Sequence, residues 1–414
     1  MDVINRRQWA QLGLFLFLCS CNQSKTVSNV FPESADLSSQ KCLGQAVMNK
    51  YIVHWEDGRF SVVSGPGKEK FISDFLTPQL EKIKRVDFDR RIELQPQETN
   101  ELRVEAAALP NWQIDRIEAQ YAWNRGYYGQ GVIVGVVDSS VDVNHPQLAG
   151  RILKNTREIP NNGIDDDGNG YVDDYKGYVF FKDDGKNPMA EHGSHVSGTI
   201  AADPDFGPAV GVAYKSQIVP AQFIDNNPQG SGSLGDGILA MQYAASRGAK
   251  IINASWGGAP CVESLKNAFE QLNQQGVLLV VAAGNSGNDV DVKYEFPASF
   301  NLSNQITVAA ASALDFMTSW SNNGFKRVHL AAPGDEIYST IPNNRYRNMS
   351  GTSMASPVVA GAAAVLWSAK PSASASEIKQ ALLSSVDVEP CHEFKVSSRG
   401  RINLRKALQT LIGP

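Results

Sequence analysis

Beyond Gly131 the chain alternates between short, wholly apolar runs and longer amphipathic stretches. The segments "VIVGVVD", "SQIVPAQFI", "AKIINASW" and "VLLVVAAGN" lack a polar face, so they predict strands buried on both sides. Between them, "DGILAMQYAASRG" and "ESLKNAFEQLNQQG" carry helical periodicity and end in Gly, a common helix stop. This alternation predicts an α/β fold: a mostly parallel sheet in three layers, covered by helices on both faces. In such sheets functional groups collect beyond the carboxyl ends of the strands. Upstream, "KYIVHWEDGRFSVV" has apolar positions on both sides of Asp57-Gly58, a hairpin signal. "EKFISDFLTPQLEKI" follows with helix-like spacing, and "IELQPQETNELRVEAAALP" reads as extended or linker-like. The pattern therefore divides the chain into a small α+β unit at residues 46–105 and a large α/β domain at 106–414.

The amino terminus follows a different rule. Arg6 and Arg7 precede an apolar stretch from Leu12 to Leu18, which then gives way to small and polar residues. That order is an export signal over residues 1–20, too short for a comfortable membrane span. Leu18-Cys19-Ser20-Cys21 resembles a bacterial lipoprotein box, which makes Cys21 the expected lipidation site and membrane anchor. An ordinary signal peptide cut nearby is the alternative. Residues 21–45 are polar and Ser-rich and read as a tether.

Composition adds bounds. The 414 residues are 42% hydrophobic and 20% charged, with a net charge of −5, so nothing points to a nucleic-acid partner. An exported setting permits a disulfide, and Cys261 with Cys391 is the pair to test, with Cys42 left over. A monomer is the default expectation.

Three positions can carry chemistry. Asp138 ends the strand "VIVGVVD", where a lone Asp is ordinarily a turn or helix cap. His192 opens "HGSHVSGTIAA", where His192 and His195 as a metal pair lack the Glu and spacing of a helical zinc motif. Ser353 lies in "SGTSMASP" before an alanine-rich run, where serines ordinarily cap helices. Together they satisfy the logic of a base-activated nucleophile. A lipase-type hydrolase would instead show a G-x-S-x-G elbow and the order Ser, Asp, His.

"VVDSSVDVNHPQL", "HGSHVSGTIAA" and "SGTSMASPVVAGAAA" resemble the Asp, His and Ser motifs of the subtilisin-like serine proteases, in that family's order. The resemblance runs from about Trp112 to "GRINLRKAL". It implies that Asp138 orients, His192 is general base and acid, Ser353 is the nucleophile, and Asn285 donates to the oxyanion. Ser140 and Ser194 stand where the family usually has Gly and Thr. Gly230, Ser231 and Gly232, with Ser255, Trp256 and Gly257, match the segments that hold an extended peptide between them. Ala282, Ala283 and Gly284 match the opposite wall of the pocket for the residue before the scissile bond. Glu295 aligns with the base of that pocket, where a carboxylate would favour Arg or Lys. The 46–105 unit resembles the family's propeptide, an intramolecular chaperone and inhibitor, with release expected between residues 100 and 110. The implied protein is a self-processing endopeptidase acting on polypeptides, exported by a bacterium and anchored to the envelope as precursor. An inactive, surface-binding lipoprotein is the alternative from another class.

"NNGIDDDGNGYVDD" raises a metal site. Asp165, Asp167, Asn169 and Asp173 fall at positions 1, 3, 5 and 9 of a calcium loop, with Tyr171 placed to offer its carbonyl at position 7. Lys176 stands at position 12 in place of the bidentate Glu, so Asp173 or Asp174 is expected to close the shell. Structural calcium is the expected cofactor.

Overall fold

A computed structural model describes residues 25–31, 46–94, 110–181, 189–227, 230–259 and 261–414. The expectations placed on Cys21, Cys42 and the 100–110 release region lie outside these residues.

The apolar runs form the centre of a nine-stranded sheet. Its strands are β4 (Ile133–Asp138), β5 (Tyr178–Val179), β6 (Gln217–Gln222), β8 (Ile251–Ala254), β9 (Leu278–Ala282), β10 (Gln305–Ala311), β11 (Leu330–Pro333), β14 (Asp387–Val388) and β15 (Gly400–Arg401). They lie in the order β14-β15-β11-β10-β9-β8-β4-β6-β5, parallel throughout except for the β14–β15 edge pair. Residues alternate between the two faces even though both are dry. Val134, Val136, Ile218 and Val280 pack with helices α1 (Glu191–Ala201) and α4 (Thr352–Ala369). Val137, Val219, Ile252 and Leu279 pack with α2 (Leu234–Ser246) and α3 (Glu263–Gln274). This is the three-layer arrangement the pattern predicts. Helix α4 is apolar on all sides because it is buried on all sides from Thr352 to Trp367.

The N-terminal unit is a separate sheet. Strands β1 (Ala46–Trp55), β2 (Phe60–Ser64) and β3 (Ile83–Glu93) are antiparallel, and β3 pairs onward with β7 (Ser231–Ser233) of the large domain. Its own core gathers Tyr51, Phe71, Ile83 and Val86. The segment with helix-like spacing forms a π turn at Phe71–Leu76 and a 3-10 turn at Thr77–Lys82. Residues 25–31, expected as tether, are a finding of a different kind. They form a helical turn at Val27–Val30, and Val30 and Phe31 are buried against Tyr51, Phe71 and Phe88. Two apolar side chains outweigh the polar composition around them.

Cys261 and Cys391 are not bonded to each other. Cys261 packs on the α3 side of the sheet, whereas Cys391 is exposed and its thiol donates to the Asp315 carbonyl at 3.2 Å.

Candidate active site

Each of the three candidate side chains sits where an element begins or ends. Asp138 is the last residue of β4, His192 the second of α1, and Ser353 the second of α4. All are nearly closed to solvent, at 0%, 5% and 7% exposure respectively. Asp138 Oδ1 lies 2.7 Å from His192 Nδ1 and also accepts the Ser139 N–H at 2.7 Å. An ionised carboxylate only accepts, so this contact places the imidazole proton on Nδ1 and leaves the Nε2 lone pair available as a base. The Ser353 hydroxyl donates to the Ser255 carbonyl at 3.0 Å rather than to His192. Proton transfer therefore requires the hydroxyl to turn, a tightening that such sites commonly complete only with substrate bound.

A buried ring of hydrogen bonds supports the nucleophile. Ser356 Oγ donates to Asn253 Oδ1 at 2.7 Å, Asn253 Nδ2 donates to Ser255 Oγ at 2.8 Å, and Ser255 Oγ donates to the Ser353 carbonyl at 2.9 Å. Of these supports, Asn253 did not stand out in the sequence. The same is true of Thr352. Its N–H and its hydroxyl both donate to Asn285 Oδ1 at 2.9 Å, which turns the Asn285 amide donor away from Thr352. A neutral amide fixed in this way can donate to a developing oxyanion without reorganising.

The two departures from the family pattern make bonds of their own. The Ala190 N–H donates to Ser140 Oγ at 2.8 Å, and the Asp142 N–H donates to Ser194 Oγ at 2.8 Å. Both hydroxyls fasten α1 to the loop after Asp138. The two histidines part company: His195 Nε2 lies 2.9 Å from the Ile337 carbonyl and 3.1 Å from that of Arg347. Burial pushes His195 down to about 3, so it stays neutral and donates.

One wall of the expected peptide groove pairs with part of this same chain. Arg91, Ile92 and Glu93 pair antiparallel with Ser233, Gly232 and Ser231, and the Leu94 N–H donates to the Gly230 carbonyl at 2.8 Å. Gly230 has φ +52°, and a Cβ there would come within 2.6 Å of Leu94 Cδ1, so glycine fits this approach and larger residues do not. Trp256 is buried edge-on against Phe223, next to the buried Gly257. Ala282, Ala283 and Gly284 leave β9 as the facing wall, with the Gly284 N–H donating to Thr352 Oγ1 at 3.0 Å. Glu295 lies on the neighbouring segment, because Phe296 bridges Ala259; its Oε1 accepts from Asn288 Nδ2 at 3.1 Å.

The N-terminal unit docks through carboxylates at two helix starts. Asp89 Oδ1 accepts the Gly235 N–H at 2.9 Å in the first turn of α2, and Asp87 Oδ2 accepts the Ser264 N–H at 3.1 Å in the first turn of α3. Each contact satisfies a free helix donor and complements the helix dipole, worth about 1 kcal/mol apiece. His54 lies in the same interface, 1% exposed and stacked on Phe60, with Nε2 3.2 Å from Gln271 Nε2 of α3. Desolvation, helped by nearby Lys84, lowers His54 to about 4 from an ordinary 6.5. A docked His54 therefore resists protonation while an exposed one accepts it. Between pH 6.5 and 4 the separated state binds more protons, so acid is expected to loosen docking by up to about tenfold per pH unit. Above pH 6.5 His54 should contribute no pH dependence. Titrating the affinity of the separated unit for the Ser353→Ala large domain checks this, and His54→Leu should flatten the profile.

The acidic loop gathers differently from its spacing. Carboxylate oxygens of Glu158, Asp165 and Asp167 lie within 4.8 Å of one another. Glu158 is 4% exposed, and its Oε2 is buried without a partner. Its other oxygen, Oε1, accepts the N–H groups of Asp166 and Asp167 at 2.9 and 3.2 Å. Asp173 does not join the group, because its two oxygens accept the Asn162 and Gly163 N–H groups at 3.0 Å each. Asp174 is taken by Arg247 at 2.8 Å and by Asn155 at 2.6 Å. The Asn169 side chain bridges the Tyr171 N–H and Asp174, and the Tyr171 ring packs on Tyr178, Phe180 and Tyr243. Glu158 was missed because it precedes the Asp/Asn/Gly run, and only the fold returns it.

Comparison with known proteins supplies the family. The Subtilase family model matches residues 129–404. Over 301 residues the chain is 34% identical to Thermitase from Thermoactinomyces vulgaris, covering 71% of this chain and 94% of that one. It is 35% identical over 280 residues to the Major intracellular serine protease of Bacillus subtilis, covering 67% and 81%. It is also 35% identical over 311 residues to Subtilisin-like protease 2 of Plasmodium falciparum, covering 73% of this chain. The chain spans only 22% of the length of that last relative.

Proposed function

Because the chain belongs to the Subtilase family, we propose that it is a serine endopeptidase that hydrolyses peptide bonds through Asp138, His192 and Ser353. The observation that carries this reading is the 2.7 Å contact of Asp138 with His192 at the carboxyl end of β4, with Ser353 at the start of α4 and an extended strand already paired to Ser231–Ser233. Ser353 Oγ attacks the carbonyl carbon while its proton passes to His192 Nε2. Asn285 and the Ser353 N–H receive the oxyanion. The bond to the leaving amine then breaks as His192 returns the proton, and water repeats the sequence to free the acyl group. A fluorophosphonate probe tests this: a single adduct on Ser353, lost on denaturation, supports it, and labelling elsewhere or not at all opposes it.

Residues 46–94 act in this reading as a propeptide that templates and blocks the groove, and the chain is a zymogen. Substrates are extended polypeptides, recognised mainly through backbone pairing at Gly230–Gly232. Glu295 gives a secondary preference for a basic residue before the scissile bond. The precursor is exported and held to the cell envelope by a lipid on Cys21. Since that anchor precedes the propeptide, cleavage after it also frees the catalytic domain.

Calcium completes the proposal, held by Glu158, Asp165 and Asp167 and lending stability rather than chemistry. The buried, unpartnered oxygen of Glu158 fits a cation, since a bare carboxylate oxygen is costly to bury. At a hundredfold excess over Kd a bound ion adds about 2.7 kcal/mol. Chelation is therefore expected to lower the Tm by about 3–4 °C. Calorimetry with and without a chelator checks this, and Glu158→Gln should show a low Tm that calcium no longer raises.

A further inference from the structure

The groove described above serves only the acyl side of a substrate. The opposite rim of the Ser353–His192 pair is built from the first turn of α1 and the hairpin β12 (Ile337–Ile341) and β13 (Arg345–Met349). Strand β13 leads through Ser350, Gly351 and Thr352 to Ser353, and the hairpin packs with α1 and α4, on the opposite face of the sheet to the α2–α3 layer that carries β7 and the N-terminal unit. The hairpin is fastened to the catalytic helix. His195 Nε2 bonds the Ile337 and Arg347 carbonyls, and Ser339 and Thr340 donate to the His195 and Ser194 carbonyls at 2.8 Å.

This fastening brings two guanidinium groups to the residue next to His192. Arg347 pairs with Glu191 at 2.5 Å and Arg345 lies 3.8 Å from the same carboxylate. Their side chains remain 58% and 59% exposed, while Glu191 is 27% exposed. One carboxylate facing two arginines leaves an unbalanced positive charge. Asp142 meets the same hairpin at the Asn343 N–H, at 3.0 Å, and forms no ion pair with either arginine. A chain with net charge −5 thus places surplus cationic forks at the leaving-group side of its active site.

We propose that Arg345 and Arg347 select substrates carrying Asp or Glu within the first three residues after the scissile bond. A planar fork offers paired donors that match a carboxylate, and Glu191 holds the two forks in place without saturating them. The proposal rests on the endopeptidase reading. Exposed pairs of this kind are modest, so the expected preference is about threefold in kcat/KM and weakens as salt screens it.

Quenched fluorescent peptides that differ only in Asp against Asn, or Glu against Gln, at these three positions provide the test with the matured enzyme. An acidic-to-amide ratio near 3 at low salt, falling toward 1 at 0.5 M salt (about a 4 Å Debye length), is the expected result. In Arg345→Gln/Arg347→Gln the ratio should fall to about 1, and in Glu191→Gln it should rise. Because each ratio is taken within one variant, a general loss of activity or folding cancels. A ratio of 1 in the parent, or an undiminished ratio in the double variant, overturns the inference while leaving the endopeptidase reading intact. Cleavage of no peptide at all overturns the endopeptidase reading itself.

Discussion

Replacing Ser353 with alanine is expected to lower peptide hydrolysis about 10⁶-fold while leaving the fold in place. The substitution removes the attacking oxygen, and no neighbour can substitute for it. Ser350 is 1% exposed and its hydroxyl accepts the Glu336 N–H, whereas Ser356 donates to Asn253 beneath the site. The residual rate should reflect oxyanion stabilisation and binding alone. Structurally the cost is small, because only the hydroxyl bond to the Ser255 carbonyl is lost and the Ser353 carbonyl keeps its bond from Ser255 Oγ. Steady-state kinetics beside a thermal melt separate the two effects. A variant that keeps even a hundredth of the activity would mean that another residue is the nucleophile.

Asp138→Asn is expected to cost about 10⁴-fold in kcat with a smaller change in KM. The aspartate makes two demands on one oxygen, Oδ1, which accepts from His192 Nδ1 and from the Ser139 N–H. An asparagine with its carbonyl oxygen in the Oδ1 place still accepts both bonds but carries no charge, and with its amide there it loses the Ser139 bond and donates to Nδ1. The second orientation forces the proton from Nδ1 to Nε2, leaving the base facing the wrong way. The imidazolium formed during transfer also loses its counter-charge in a site closed to water. A thermal melt beside the kinetics distinguishes this effect from simple misfolding.

The reacting residues were legible because catalysis ties residue type to local context: a carboxylate closing a buried strand, a histidine and a serine opening helices. Their supports were not. Thr352 reads as an ordinary helix-start threonine, and its double bond to Asn285 exists only once β9 and α4 meet. Asp87 and Asp89 read as the polar positions of an alternating strand, yet they cap helices of the other domain 177 and 146 residues away. The acidic run announced a cation loop by spacing, but spacing cannot show that Asp173 turns back to hold the Asn162–Gly163 turn. In the proposed cation site Glu158 takes its place from outside the run. Likewise Val30 and Phe31 are two apolar residues in a polar stretch, too few to make a pattern and enough to fill a gap in a small core. Arg345 and Arg347 look like solvated strand residues until the hairpin is seen clamped to the His192 helix.

The most direct test of the central claim is time-resolved intact mass spectrometry of the purified precursor beside its Ser353→Ala variant. The account predicts that the parent cuts itself after the groove-bound strand, beyond Leu94, while the variant stays whole under the same conditions. An identical cleavage in both would contradict it, because the bond would then be broken without Ser353.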